Sequence, residues 1–214
     1  MIAAESKGSR VLLIECASQH PLKPDGTPGE EFQARLDRAI KIYKKYRDDG
    51  WQVNIYVPGS LHQIKNRQGI YDVDLIPLCE SGKQYLINNE VDAGDILGQE
   101  ANERYKGKAG VYCSADECYV SSNLFLDGNY QRFIVICSPA QAMRKTLYYL
   151  LSKTLPIIYT EAPQTHCATT FHNYAYEAIK SIPEIIASMD DMQGENCCKA
   201  IAIREDRDPY YSSH

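Results

Sequence analysis

The 214-residue chain is notable first for what it lacks. It has no apolar run of the roughly 18 residues that a membrane-spanning helix needs. Lysine and arginine total 23 against 28 acidic residues, a net charge of −5. No excess of basic charge therefore advertises a nucleic-acid surface. The eight cysteines never fall as CxxC, so the common structural zinc signatures are missing. GxGxxG is absent too, which argues against a standard dinucleotide site. The opening "MIAAESKGSRVLLIEC" does not read as a signal peptide, because its apolar stretch is short and follows a polar linker. Together these absences predict a soluble, cytoplasmic protein with reduced thiols, several of them buried as small hydrophobes. They predict a small-molecule ligand rather than nucleic acid or membrane, and leave the oligomeric state open.

What is present alternates between strands and helices. "RVLLIEC" (10–16) is a continuous apolar run of strand length, as expected for a strand buried on both faces. A Pro- and Gly-rich loop follows. "EEFQARLDRAIKIYKKYRDDG" then carries Phe32, Leu36, Ala39, Ile40 and Tyr43 at helical spacing, with Gly50 at its stop. "WQVNIYV" (51–57) is a second strand, ended by Pro58–Gly59. Residues 60–78 read as loop and "ESGKQYLINNE" as helix. "VDAGDILGQEANERYKGKAG" reads as a short strand at Ile96–Leu97 within a loop. A helix then begins at "SADE". "RFIVICS" (132–138) is a strand, "PAQAMRKTLYYLLSK" a helix with Pro139 at its first position, and "PIIYT" (156–160) a strand. "YAYEAIKSIPEIIASM" closes the pattern as a helix interrupted at Pro183, before a polar tail from residue 190. This alternation predicts one α/β domain over 1–189: three layers, a mainly parallel sheet and helices on both faces.

In such folds ligands bind beyond the carboxyl ends of the strands, so the residues after each strand are the candidates. After the first come Glu15, Ser18, Gln19 and His20, in a loop that is either functional or a solvated connection. After the second come Gly59, Ser60 and His62; a Gly-Ser turn offers backbone N–H groups to an oxyanion, and is also an ordinary turn. "SPAQ" reads as a helix cap, Ser138 with Gln141 around Pro139, and equally as an anion-binding helix start within reach of Arg144 and Lys145. "SADE" reads as a capping box in which Ser114 accepts from the first turn and Glu117 returns the bond, while Asp116 and Glu117 suit the positive helix end. The same acids are candidates for acid–base or metal-binding work. Cys113, just before this helix, is the candidate reactive thiol. His166 and His172 fit no common zinc spacing, and with His214 read as loop or tail residues.

The order of the segments resembles the YdcF-like family (ElyC/SanA/YdcF, DUF218), a bacterial family of Rossmann-like fold, over about residues 10 to 160. "ARLDRAIKIY" looks like the family's Arg-Leu-x-x-Ala helix and "VPGS" sits at its Ser-Gly-Gly turn. "ESG" looks like its Ser-Glu-Ala helix start. "SADE" and "CSPAQAMRK" match its Ser-x-x-Thr segment and its strand ending in Thr-Ser, followed by His and Arg. The resemblance puts Ser138, Gln141 and Arg144 at polar-site positions, with Gln141 replacing the family's histidine and Glu117 its threonine. Links of relatives to the cell envelope and to S-adenosylmethionine binders follow from the resemblance alone.

Two functional expectations emerge. In the first, the chain is an enzyme of the hydrolase or transferase class acting on a phosphate-, nucleotide- or carboxylate-bearing metabolite. Ser60, Ser114, Ser138, Gln141 and Arg144 would bind it, and Glu80, Asp116, Glu117 or His62 would supply acid–base chemistry. In the second, the same edge binds a nucleotide or S-adenosylmethionine-like ligand without turnover. S-adenosylmethionine or a divalent metal are the cofactors either reading would admit. A thiol enzyme built on Cys113 is a third expectation.

Overall fold

The computed structural model describes residues 10–18, 22–61, 63–65, 71–73, 75–107, 110–112 and 114–161, with residues 63–65, 71–73 and 140 as backbone. The expected closing helix and tail, together with Gln19, His20, His62, Cys113, His166, His172 and His214, lie outside the described residues.

Five parallel strands form the sheet: β1 (Val11–Cys16), β2 (Gln52–Tyr56), β5 (Ile96–Leu97), β6 (Arg132–Cys137) and β7 (Ile157–Thr160), in the spatial order β5-β2-β1-β6-β7. Helices α1 (Glu30–Asp48) and α2 (Leu78–Asn88) cover one face; α3 (Gln99–Lys106), α4 (Ser114–Asp127) and α5 (Pro139–Leu151) cover the other. The expected three-layer Rossmann-like α/β architecture is thus the one observed. No described helix is long and apolar enough to cross a membrane.

Period-two alternation sorts the core. Leu12, Ile14 and Cys16 of β1 pack with Phe32, Leu36 and Ala39 of α1, while Leu13 turns to the α4/α5 side with Phe133, Val135 and Tyr148. The strands carry apolar residues on both faces because both faces are covered. Helix α1 ends in a Schellman motif: Trp51 N–H reaches Tyr46 O and Gly50 N–H reaches Arg47 O, both at 2.9 Å, with Gly50 at φ +77°. The accompanying hydrophobic contact is an edge-on pairing of Tyr46 and Trp51, ring centroids 5.4 Å apart. Gly50 is therefore the stop that the sequence indicates.

Two stretches differ from the sequence reading. Within 60–78, β3 (Gln63–Lys65) and β4 (Tyr71–Val73) pair antiparallel, separate from the main sheet. After the expected strand β5, residues 99–106 form a helix rather than a loop. Only Ala101 and Asn102 of α3 are fully buried, so the segment has too little apolar content to display a helical period.

Strand order places the candidate site. From β1 the chain moves through α1 to β2 on one side, whereas β6 lies on the other side of β1 and continues through α5 to β7. The helices that leave β1 and β6 cover opposite faces. The β1/β6 boundary is therefore the topological switch point, where folds of this kind bind ligands.

Candidate site at the switch point

Three chain segments converge at the carboxyl end of β1 and β6: the end of β1 itself, the first turns of α4, and the first turns of α5. Glu15 occupies the β1 position that follows Leu13 on the α4/α5 face and is completely buried. Lys145 of α5, also completely buried, sits between two carboxylates, 2.5 Å from Glu15 Oε1 and 2.6 Å from Glu117 Oε2. The Tyr149 hydroxyl donates to the second oxygen of Glu15. Ser18 Oγ lies 3.2 Å from the second oxygen of Glu117. Beside this cluster Arg144 Nη2 donates to Ser114 Oγ at 2.8 Å, joining the second turn of α5 to the start of α4.

The turn after β1 is held from the other face of the sheet. Buried Arg35 of α1 donates from Nη1 to the carbonyls of Ala17 and Ser18, at 3.1 Å each, and pairs through Nη2 with Glu31. Gly59 closes the approach from β2. Its φ is +104°, and a Cβ there would lie 2.6 Å from Ser18 Oγ and 2.8 Å from Leu78 Cβ. Only glycine permits this contact.

The two expected caps turn out differently. Ser138 does cap α5, its Oγ accepting from Gln141 N–H at 3.3 Å. The Gln141 side chain does not return the bond; its buried Oε1 has no hydrogen-bond partner among the described residues. The capping box expected at "SADE" is not formed. Ser114 already lies inside α4, its Oγ engaged by Arg144, and Glu117 turns to Lys145 and Ser18. Asp116 instead reaches back beyond the helix and accepts from Tyr112 N–H at 3.1 Å. A buried cation outbids a backbone N–H as a carboxylate partner, and that choice is invisible in a four-residue motif.

The structure brings Ser114, Glu117, Ser138, Gln141 and Arg144 to the switch point. Asp116 turns away to a buried ion pair with Lys106, 2.8 Å. Ser60 lies at the end of β2, where its N–H and Oγ pair with Val111 O and N–H, both at 2.9 Å. Glu80 stands half-buried in the first turn of α2, on the opposite face, and shares no hydrogen bond with the cluster. Tyr149 and Arg35 were not among the residues singled out from the sequence, and Lys145 was named only as a neighbour of Arg144 at the helix start. Lys145 follows the more conspicuous Arg144, but helical geometry sends only Lys145 down to Glu15. A glutamate ending an otherwise apolar strand was the available signal, since a buried carboxylate demands a cation.

Burial and the neighbouring Glu15 charge raise the Glu117 carboxyl above its ordinary range, against the opposing pull of Lys145. Burial works against charge on Lys145, but Glu117 and Glu15 outweigh it and raise its pKa well above normal, so it stays an ammonium. Burial pushes the Cys79 thiol up to about 12 and Cys137 to about 11, and raises Cys16 and Cys118 as well. These four are unreactive thiols at neutral pH. Among the described residues no group of three or more His, Cys, Asp or Glu is placed to hold a metal ion.

The chain matches no protein-family model, no curated protein and no solved structure.

Proposed function

We propose that this protein is an enzyme that binds a small anionic metabolite, phosphate-, nucleotide- or carboxylate-bearing, over the β1/β6 switch point. The observation that carries the reading is the convergence there of Arg144 with Ser114, of Ser138 and Gln141, and of the Glu117–Lys145–Glu15 cluster. Arg144 supplies positive charge, while Ser114 and Ser138 supply hydroxyls, all held by packing before a ligand arrives. Glu117, at the rim of the cluster, is the group placed for proton transfer, in a hydrolase or transferase type of reaction. The kinship with YdcF-like proteins belongs to this proposal and rests on the sequence motifs.

One observation favours a second reading, a nucleotide or S-adenosylmethionine-like binder without turnover. Both acids of the α4 start are already engaged by lysines, Asp116 by Lys106 and Glu117 by Lys145. Calorimetric titration with nucleotides, S-adenosylmethionine, sugar phosphates and amino acids, on wild type and Arg144→Gln, tests both. The proposal expects an anionic ligand bound by wild type and at least tenfold more weakly by the variant. Binding of a neutral ligand alone overturns the anion reading. A bound anion that is never converted favours the second.

A further inference from the structure

The Glu15–Lys145–Glu117 cluster contains two carboxylates and one ammonium group, all buried. With both acids ionised it would hold one uncompensated negative charge out of water, which costs several kcal/mol. Among the described residues the other groups around Glu117 do not supply the missing positive charge. From α1 there is Arg35, whose charge is answered by Glu31. From β1, β6 and α4 come the thiols of Cys16, Cys137 and Cys118, all held protonated by burial. Asp116 of α4 adds negative charge and is answered by Lys106. Tyr56 of β2 and Tyr149 of α5 are neutral phenols, pushed further from ionisation by burial. Arg144, one residue before Lys145, is directed to Ser114.

The two carboxylates are not equivalent. Glu15 receives Lys145 on one oxygen and the Tyr149 hydroxyl, at close range, on the other. Glu117 receives Lys145 on Oε2, but among the described residues Oε1 meets only Ser18 Oγ, at 3.2 Å, longer than a strong O–H···O⁻ bond. Both oxygens of Glu15 are thus closely held by donors, whereas Glu117 has one oxygen held closely and one held weakly. We propose that the cluster holds one proton beyond those of Lys145, carried by Glu117 on the oxygen facing Ser18, so that Glu117 meets a ligand at the switch point as a proton donor. On donation the Glu117 O–H bond breaks, the proton passes to a basic oxygen of the ligand, and the carboxylate left behind is held by Lys145. The cluster is then negative, so it releases an anionic product more readily than it bound the substrate.

The donor role rests on the anion-binding reading, but the proton itself is tested without any ligand. Full-length protein labelled with ¹³C at glutamate carboxyls is observed by NMR at neutral pH, in wild type, Glu117→Gln and Glu15→Gln. The expected result is one glutamate at the protonated-acid position in wild type, lost in Glu117→Gln. In Glu15→Gln, where Lys145 answers a single carboxylate, that resonance moves to the ionised position. Ionised signals throughout in wild type overturn the proposal, as does a protonated signal that survives in Glu117→Gln. A Glu117 that stays protonated in Glu15→Gln overturns the charge-counting argument. If Glu15→Gln does not fold, wild type against Glu117→Gln still decides. A proton found on Glu117 in a protein that binds no anion leaves this inference standing and removes the donor's target.

Discussion

On the α1/α2 face, β1 contributes Leu12, Ile14 and Cys16 to an almost wholly apolar layer with Phe32, Leu36, Val53 and Ile55. On the α4/α5 face, the same strand contributes Leu13 and then Glu15, and the layer ends in a buried ionic cluster. Both layers are buried. The first is held by packing, which tolerates any well-shaped apolar group. The second is held at one end by charges that stabilise the fold only while every partner is present. On the first face the buried ion pair of Arg35 with Glu31 braces the turn after β1, and packing explains the rest; the two-carboxylate cluster at the switch point is more than packing requires.

The comparison is broken hardest by removing the cation. Lys145→Met leaves the buried Glu15–Glu117 pair with no cation at all and is expected to cost roughly 3–5 kcal/mol at neutral pH, read by urea unfolding. The loss should shrink on acidification as the carboxylates take up protons. A loss independent of pH would refute the ionic account. On the other face Leu36→Ala should cost about 2–5 kcal/mol, from transfer and cavity terms, with no pH dependence beyond that of wild type.

Stability against pH sharpens the contrast further. Because the Glu117 carboxyl is raised in the folded state from an ordinary value of 4.5, the native protein binds a proton that the unfolded chain has released. Stability should therefore fall as pH rises above 4.5 and level off beyond the raised value. Glu117→Gln should lack this decline; a wild-type curve parallel to that of the variant would contradict it. Next in size, Gly50→Ala forces a side chain into φ +77° and should cost about 1 kcal/mol in thermal unfolding. Smallest of all, Glu90→Gln breaks an exposed pair with Lys44 and should leave the melting temperature unchanged.

Much of this contrast was legible in the chain. The strands at 11–16, 52–56 and 132–137 announce themselves as apolar runs, and Gly50 and Pro139 mark where helices stop and start. Five of the candidate residues gather at the switch point: Ser138, Gln141 and Arg144 because the end of β6 could be located from its apolar run, Ser114 and Glu117 because their motif marks a helix start. Two kinds of feature were not legible. Helix α3 and the β3–β4 pair are polar or short, so periodicity carries no signal in them. The pairing of Lys145 with Glu15 spans 130 residues of sequence, and the misread cap at Ser114 fails for the same reason. A local motif shows which partners are near along the chain, not which stronger partner folding delivers.

The sequence by itself determined the class of architecture, the faces of the strands and the ends of the helices, because hydrophobic period and backbone stereochemistry act over a few residues. Tertiary structure alone decided the strand order, and with it the switch point between β1 and β6. It also decided that Glu117 faces Lys145 and Ser18 rather than its own helix end. Those outcomes depend on which distant groups share a water-free volume, where a charge without its counterpart costs more than any local preference can offset.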